Sequence, residues 1–209
     1  MRLRRKPNLG ARLERCAGLL VAEPELFRGR WRGEFGFDEL FVELGCGKGR
    51  FTVDSAAAEG GALFVALEKS ADALVTALER ALAEGLGNVR FVNGFADFVA
   101  DFFAPGEVSR FFVNFCDPWP SNRHVKRRLT GRRFLELYLQ ALCPGGEVFF
   151  KTDNLSLFEF SLREFEFMGF VVAEVERDLH RGGPVGVMSD YELKFHGLGA
   201  PIYRCVARK

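Results

Sequence analysis

The stretch ELFVELGCGKGR occupies residues 39–50 and decides the fold. It opens with an apolar run of strand length, Glu39–Leu44, and continues into three glycines at alternate positions. A helix-length segment then runs from about Arg50 to Ala58. Glycine permits tight turns and close approach of a ligand to the backbone, so the unit predicts a strand, a ligand-facing turn and a helix. A tight strand–helix turn without a ligand is the alternative for this motif alone.

Strands and helices continue to alternate along the rest of the chain. Predicted strands are Glu39–Leu44, Ala62–Leu67, Asn88–Val92, Ser109–Phe115, Glu147–Thr152, Phe170–Glu176 and Ile202–Ala207. Ser70 and Asn154 are predicted N-caps of two intervening helices, and a Pro-Gly-Gly turn is predicted at residues 144–146. A long glycine-containing loop is predicted between the last two strands. The alternation indicates one α/β domain, Rossmann-like, with a doubly wound, mostly parallel, seven-stranded sheet.

Charge is placed unevenly on this nearly neutral chain, whose net charge is +1. Basic residues cluster in residues 1–15 and again in residues 118–135, and the second cluster contains no acid. Residues 1–35 are therefore predicted to be a basic extension at the start of the single domain, 1–209. Two such clusters predict local contacts with an anionic partner.

Several classes of protein are excluded by the composition. The five cysteines are scattered without a C-x-x-C pair, and the three histidines are dispersed, so neither a disulfide framework nor a metal site is predicted. His180 and His196 are predicted to lie in loops. The apolar runs are too short for a membrane span, and the basic N-terminus lacks the apolar segment of a signal peptide. A cytoplasmic protein with no metal and no membrane contact is expected.

The spacing of the glycines separates two kinds of nucleotide site. A dinucleotide fingerprint needs G-x-G-x-x-G, whereas Glu43 to Gly49 reads E-x-G-x-G-x-G. This pattern resembles motif I of the Rossmann-like methyltransferases that use S-adenosylmethionine (SAM). The resemblance implies that Glu43 reaches toward the methionine portion of SAM and that Gly45, Gly47 and Gly49 make room for it.

Acids follow the next two predicted strands. Glu68 ends the second strand, where a carboxylate can accept two hydrogen bonds from a ribose diol; a solvated charge at a helix start is the alternative. Asp97 follows the third strand, where methyltransferases of this class usually place an acid on the adenine amino group; helix capping is the alternative. Together with the glycine motif, Glu68 and Asp97 predict a binding site for SAM at the carboxyl edge of the sheet.

A second unusual segment, NFCDPWP, follows the fourth predicted strand at residues 114–120. Its prolines pre-shape the loop, and Trp119 offers a stacking face for a purine. The basic run Arg123–Arg128 follows and suits phosphates. A solvated face without a partner is the alternative for this run.

In their order and spacing these segments resemble the TrmB-type tRNA (guanine-N7)-methyltransferases over essentially the whole chain. The matching stretches are MRLRRKP at residues 1–7, the E-x-G-x-G-x-G turn, DPWP at 117–120, RHVKRRL at 123–129, KTDN at 151–154, SDYELKF at 189–195 and PIYR at 201–204. The resemblance implies a SAM-dependent methyltransferase domain that modifies N7 of a guanine in tRNA, expected at position 46 in the variable loop. A monomer or a homodimer is expected.

Roles for individual residues also follow from the resemblance. Asp117 is the catalytic position and belongs to the cofactor site with Glu43 and Glu68. The implied substrate residues are Ser121, Asp153, Ser189, Asp190, Tyr191 and Glu192, with Asp153 and Glu192 expected to hold the guanine edge. The implied RNA contacts are Arg123, His124, Lys126, Arg127, Arg128 and the extension 1–35. A helix cap is the alternative for Asp153.

The chain departs from the family pattern at three places. Ser121 stands where a lysine is usual, and Phe95 stands where the acid after the third strand commonly falls. Ser189-Asp190 replaces Thr-Glu. Asp97 or backbone contacts are therefore expected to hold the adenine.

Two other functions fit parts of the sequence. Methyltransferases acting on N6 of adenine use a related D/N-P-P-aromatic loop, but here the second proline follows the aromatic residue, and a small-molecule enzyme has no use for the basic run. A non-catalytic tRNA-binding module would not need the intact set of Glu43, Gly45, Gly47 and Glu68.

Overall fold

The computed structural model describes residues 7–209, with Asn122 described by its backbone alone. Residues 1–6, which carry part of the first basic cluster and of the family resemblance, lie outside the described residues. The predicted RNA-contacting extension is therefore described from residue 7 onward.

Eight strands form one sheet in the described chain. They are β1 (Leu20–Val21), β2 (Glu39–Leu44), β3 (Ala62–Leu67), β4 (Val89–Val92), β5 (Val108–Asn114), β6 (Leu142–Thr152), β7 (Val171–Glu176) and β8 (Tyr203–Arg208). Their order is β1-β4-β3-β2-β5-β6-β8-β7. Neighbours are parallel, except that β8 is antiparallel to both β6 and β7. The predicted Rossmann-like α/β fold with a mostly parallel sheet is confirmed.

Helices connect these strands. The α-helices are α1 (Leu9–Arg15), α2 (Trp31–Phe35), α3 (Arg50–Ala58), α4 (Ala71–Ala83), α5 (Val99–Phe102), α6 (Arg132–Ala141), α7 (Leu155–Phe167) and α8 (Asp190–Gly197). Short 3₁₀ helices lie at Pro24–Phe27, Ala96–Phe98 and Asn122–Arg127. Both predicted N-caps are confirmed, because Ser70 accepts from the Ala73 amide and Asn154 accepts from the Leu157 amide.

The predicted strand count of seven is wrong, because β1 adds an edge strand. Its two residues pair in parallel with β4, Leu20 beside Phe91 and Val21 beside Val92. Two residues are too few to carry a strand periodicity in the sequence. The strand exists because this segment lies against the exposed edge of β4, where the Phe91 amide donates to the Leu19 carbonyl at 2.8 Å.

Two local predictions in the second half of the chain are also wrong. The loop between β7 and β8 contains α8, so His196 lies in a helix and not in a loop. The Pro-Gly-Gly segment 144–146 lies inside β6, which begins at Leu142, and the register between β5 and β6 shifts there. The segment 144–146 lies between the pairs Val108–Leu142 and Arg110–Glu147, which place it within one strand, whereas α8 begins at a capping box formed by Ser189 and Glu192.

The central strands are covered on both faces. Every residue of β3 is buried, as expected of a strand with a hydrophobic layer on each side. In β2 the side chains alternate, with Leu40 and Val42 in one apolar cluster and Phe41 in the other. The first cluster includes Trp31, fully buried, so residues around α2 pack into the domain core.

This topology places the ends of four strands side by side. β2 lies between β3 and β5, and β4 lies beyond β3, so the chain reverses its direction of winding at β2. In open sheets of this kind the carboxyl ends around such a reversal form a crevice. None of the helices within residues 7–209 is long and apolar enough to cross a membrane.

Candidate active site

A cleft of about 600 Å³ opens at the carboxyl ends of β2, β3, β4 and β5. It is lined by Leu44, Gly45, Leu67, Glu68, Lys69, Gly94, Phe95, Ala96, Asp97, Asn114, Phe115, Cys116, Asp117, Trp119, Lys126, Arg127, Leu129, Arg133 and Phe134. The cleft therefore combines the ends of the first four predicted strands with the basic segment after the fourth. A volume of this size suits a nucleotide-sized ligand.

The glycine turn, residues 45–49, forms one wall of the cleft. Gly45, Gly47 and Gly49 have φ values of 78°, 58° and 77°, a region that favours glycine. A Cβ at Gly45 or Gly47 would meet no atom within 4 Å, whereas at Gly49 it would lie 2.4 Å from Cβ of Ala77. Gly49 therefore lets α3 pack closely on α4, while Gly45 lines the cleft without a side chain.

Glu68 connects the glycine turn to the start of α4. Its Oε2 accepts from the Gly47 amide at 3.0 Å, and its Oε1 accepts from the Ser70 amide at 2.8 Å. Each carboxylate oxygen retains a further lone pair for a ligand. Glu68 thus shapes the wall of the cleft and presents an acid at the end of β3.

Glu43 lies beneath this wall, buried and out of direct contact with the cleft. Thr52 donates to its Oε2, and Nδ2 of Asn114 donates to its Oε1 at 3.0 Å. Burial raises the pKa of the Glu43 carboxyl above its usual value, although the two hydrogen bonds and the Lys151 charge oppose that shift. The carboxylate is therefore held in place by protein groups before any ligand binds.

The predicted adenine end of the cleft contains Asp97, Phe95 and Arg133. Asp97 pairs with Arg133 through a contact of 2.5 Å between Oδ1 and a guanidinium nitrogen. The 3₁₀ helix at Ala96–Phe98 and the following α5 have no side-chain cap, so the hydrogen bonds give no support to the capping alternative for Asp97. Phe95 is 53% exposed and offers an aromatic face to the cleft.

The acceptor loop, residues 115–130, forms the opposite wall. Phe115 and Trp119 adopt positive φ values of 52° and 42°, a conformation that costs a non-glycine residue about 1–2 kcal/mol. The Arg128 side chain donates to the carbonyls of Pro118 and Trp119, each at 3.0 Å, and stacks on Phe160. These contacts hold the strained loop, and they bury Arg128, unlike the other predicted RNA-contacting residues of the run.

Asp117 projects from the acceptor loop with 68% of its side chain exposed. Its Oδ2 lies 4.0 Å from Nζ of Lys69, which follows Glu68 directly on the opposite wall. Ser121 caps the 3₁₀ helix by accepting from the Arg123 amide. The predicted catalytic acid and the predicted ribose-binding acid therefore face one cleft from opposite sides.

The remaining cations of the acceptor loop are arranged around Trp119. The Arg127 guanidinium lies 4.8 Å from the centroid of the Trp119 ring, and the His124 ring meets it edge-on at 5.5 Å. Arg123, His124, Lys126 and Arg127 are exposed. A tryptophan among exposed cations can stack a base while its neighbours bind phosphates.

The segment at the start of α8 contributes a buried network. Ser189 and Glu192 form a capping box, and the Glu192 carboxylate is completely buried. It accepts from Nζ of Lys151 at 3.0 and 3.2 Å and lies 2.9 Å from Nε2 of His180. Because Nδ1 of His180 accepts from the Val185 amide, Nε2 carries the hydrogen donated to Glu192. A direct contact of Glu192 with guanine would require this network to open.

Tyr191 and Asp153 form a second predicted group beside the acceptor loop. The Tyr191 hydroxyl donates to Oδ2 of Asp153 at 3.4 Å, and its ring lies 5.1 Å from Phe115 and 4.2 Å from Phe195. Burial and the Asp153 charge raise the pKa of Tyr191. Asp190 points elsewhere, toward Arg80 at 3.4 Å.

The structure therefore gathers some predicted residues and separates others. Gly45, Glu68, Asp97, Asp117, Lys126 and Arg127 line the cleft, whereas Glu43, Gly47, Ser121, Arg123, His124, Arg128, Asp153 and the 189–192 segment lie behind or beside it. Lining residues that the sequence analysis did not select as site residues include Lys69, Phe95, Asn114 and Arg133. Their position in the sequence could have indicated them, because each lies at or near a predicted strand end or in the second basic cluster. No group of His, Cys, Asp or Glu within the described residues is suited to hold a metal ion.

The fold and the cleft together define the class of protein, the Rossmann-like SAM-dependent methyltransferases. A family model described as "Putative methyltransferase" matches residues 38–205. The tRNA (guanine-N(7)-)-methyltransferase of Geobacillus kaustophilus is 46% identical over 209 residues, covering 99% of this chain and 96% of that protein. The protein of the same name in Bacillus velezensis is 41% identical over 206 residues, covering 98% and 95%. The chain belongs to the tRNA (guanine-N7)-methyltransferase family.

Solved structures agree on the fold. A chain described as an antibiotic-related methyltransferase superposes with a TM-score of 0.62 at 15% identity, covering 87% of this chain and 92% of that one. TrmN from Thermus thermophilus superposes with a TM-score of 0.60 at 21% identity, covering 96% of this chain and 48% of that one. At such low identity the likeness establishes the architecture alone.

Proposed function

We propose that this protein transfers a methyl group from SAM to N7 of a guanine in tRNA, at position 46 of the variable loop. The observation that carries the proposal is the pairing of two walls in one cleft. The glycine turn and Glu68 form one wall, and Asp117 with the basic acceptor loop forms the other. Two relatives named for this activity are 46% and 41% identical to this chain over nearly its whole length, which supports the same conclusion.

The residues of the first wall fit SAM. At Gly45 and Gly47 a side chain would project into open space, so the bare backbone leaves room for a ligand beside the turn. Glu68 offers free lone pairs to a ribose diol, and Phe95 and Asp97 offer an aromatic face and an acid to the adenine. When bound, SAM supplies an electrophilic methyl group on a sulfonium centre.

The acceptor wall has little proton chemistry to perform. Guanine N7 carries a lone pair on the major-groove edge of the base, so no general base has to deprotonate it. The protein must align N7 with the methyl group and stabilise the positive charge that develops on the purine. The exposed Asp117 carboxylate, on the side of the cleft facing Glu68 and Lys69, is placed for that electrostatic role. Tyr191, Phe115 and Asp153 offer a stacking and hydrogen-bonding surface for the guanine beside it.

The exposed cations of the acceptor loop are proposed to bind tRNA phosphates. Arg123, Lys126 and Arg127 have exposed side chains, and Arg127 also packs on Trp119. Arg128 is instead proposed to hold the loop in shape, since its guanidinium is occupied by two carbonyls. We propose a cytoplasmic protein that acts as a monomer or a homodimer.

Unmodified tRNA incubated with the protein and methyl-labelled SAM tests the proposal. Nucleoside analysis should find labelled 7-methylguanosine, and a transcript with adenosine at position 46 should accept no label. Labelled N6-methyladenosine would instead favour the rival methyltransferase. Binding of tRNA with no SAM binding and no transfer would favour the non-catalytic module, and either result would contradict the proposal.

A further inference from the structure

Asn114, the last residue of β5, lines the cleft and carries a buried acceptor that has no hydrogen-bond partner. The residue is 8% exposed, and its Oδ1 is buried without a hydrogen-bond partner. Among the described residues, the other such side-chain atoms are Nε of Arg110 and of Arg204. Neither arginine lines the cleft, whereas Asn114 does. Leaving a buried acceptor unpaired costs free energy, so a partner from a ligand is expected.

The orientation of the Asn114 amide is fixed by Glu43. Nδ2 donates to Oε1 of Glu43 at 3.0 Å, and Thr52 donates to the other carboxylate oxygen. Oε1 of Glu43 accepts this hydrogen bond, so the amide nitrogen of Asn114 faces Glu43. The oxygen must then occupy the other arm of the planar amide. The free atom is therefore an acceptor and not a donor.

We propose that Oδ1 of Asn114 accepts a hydrogen bond from the ammonium group of the methionine portion of SAM, which makes Asn114 a cofactor-binding residue. This inference rests on the proposed use of SAM. The ribose hydroxyls are assigned to Glu68 at the end of β3, and the adenine amino group is assigned to the region after β4. The remaining N–H donor of SAM is the ammonium, and Asn114 lies at the remaining strand end, where β5 pairs directly with β2.

Charge at this position favours a cation over a neutral N–H group. Glu43 lies directly behind Asn114, and the same hydrogen bond polarises the amide so that Oδ1 becomes a better acceptor. The guanine edge is the competing source of an N–H donor. Guanine, however, is expected beside Asp117, which lies three residues further along the chain and is mostly exposed. Asn114 lies deeper, at the end of the sheet.

Two ligands and two variants test the assignment. S-adenosylhomocysteine retains the ammonium, whereas 5′-methylthioadenosine lacks the whole amino-acid portion. Asn114→Leu removes the acceptor at similar volume. Thr52→Val is the matched control, because it removes the other hydrogen bond to Glu43 without changing a residue that lines the cleft. Calorimetry with each ligand then separates the loss of the acceptor from disturbance of Glu43.

Asn114→Leu is expected to weaken binding of S-adenosylhomocysteine about 10- to 100-fold, the range for a hydrogen bond to a charged group. Binding of 5′-methylthioadenosine should change about twofold or less. Thr52→Val should leave the ratio of the two affinities close to that of the wild type. Equal losses for both ligands with Asn114→Leu, or the same change of ratio with Thr52→Val, would overturn the inference. So would an increase in KM for tRNA with unchanged S-adenosylhomocysteine affinity, since that result assigns Oδ1 to guanine.

A measurement on the wild-type protein keeps the inference testable if Asn114→Leu fails to fold. An S-adenosylhomocysteine analogue in which hydrogen replaces the amine should bind at least about tenfold more weakly than the parent compound. Equal affinities would overturn the inference while leaving the proposed function intact. If the wild type binds neither SAM nor S-adenosylhomocysteine, the proposed function itself fails.

Discussion

The two walls of the cleft are built differently. The glycine turn is fixed by neighbours in the sheet and by backbone hydrogen bonds to Glu68, and its main acid is largely buried. The acceptor loop contains two non-glycine residues at positive φ and carries its main acid, Asp117, exposed. It is held in shape by Arg128. The first wall is thus complete within the protein, whereas the second leaves its charges free for a partner.

This difference indicates how binding energy is used on each wall. A pre-paired wall loses little conformational freedom when a small ligand binds, so its residues should control ligand affinity. Exposed charges on the other wall gain their partners only with tRNA, so their removal should affect transfer and tRNA binding. Five variants test whether the two walls can be separated in this way.

Asp117→Asn should have the largest effect. It keeps the shape of the side chain but removes its charge, so kcat for methyl transfer should fall by about a hundredfold or more. Steady-state kinetics with saturating tRNA and SAM measure the change. Asp101→Asn is the matched control, since it makes the same chemical change at an exposed position of α5. A normal kcat for Asp117→Asn would remove the acid from the mechanism.

Glu68→Ala should act on the wall formed by the glycine turn and Glu68, here called the cofactor wall. SAM binding should weaken by about 1.5–3 kcal/mol, the range for a charge-assisted hydrogen bond. Because Glu68 also holds the amides of Gly47 and Ser70, the melting temperature without ligand should fall as well. Calorimetry and thermal unfolding measure the two effects. If a folded Glu68→Ala protein bound SAM with wild-type affinity, Glu68 would not belong to the site.

Replacing Arg123, Lys126 and Arg127 together with alanine should weaken tRNA binding. Each lost phosphate contact changes the slope of log K against log salt by about 0.7–0.9, so the slope should flatten by up to about 2–3. KM for tRNA should rise more than Kd for SAM. The control replaces three exposed arginines elsewhere, and so removes the same charge. They are Arg163 in α7, Arg177 directly after β7 and Arg208 in β8. Equal slopes for the two triple variants would mean that the acceptor loop is only a solvated face.

Glu43→Gln should make the protein more stable but bind SAM more weakly. The pKa of Glu43 is higher in the folded protein than its ordinary value of 4.5, which applies to the unfolded chain. Between these two pKa values the folded protein keeps a proton on Glu43 that the unfolded chain has lost. Its contribution to stability is therefore present below the unfolded value and is lost as pH rises through the folded pKa. At pH 7–8 the variant should therefore melt at a higher temperature than the wild type, and the gain should vanish near pH 4. If the difference in melting temperature between the variant and the wild type stayed constant from pH 4 to pH 8, it could not be due to the raised pKa of Glu43.

Asp97→Asn should have the smallest effect. Asp97 is partly exposed and already paired with Arg133, so its loss should weaken SAM binding by about 1 kcal/mol or less. The melting temperature without ligand should hardly change, because Asp97 caps neither neighbouring helix. Thermal unfolding with and without SAM measures both. A large loss of stability without ligand would give Asp97 a structural role.

Much of the cofactor wall could be predicted because its causes are local. The bounds of β2, β3 and α3 were predicted to the residue, and the caps Ser70 and Asn154 were predicted from one side chain each. The acceptor loop could be located but not shaped, since Arg128 looks like any other cation of its run. The helix α8 was missed although its S-x-x-E start is a recognised capping signal. The glycines around it favoured a loop.

The sequence by itself determined the order of the elements, the glycine turn and the charge of the acceptor loop, since each depends on residues close together in the chain. Only the tertiary structure decided which side chains meet across the sheet. Asn114 contacts Glu43, Lys151 contacts Glu192, and Arg133 contacts Asp97. These partners are 71, 41 and 36 residues apart. Such contacts depend on strand register and crossover geometry, which a one-dimensional pattern does not specify.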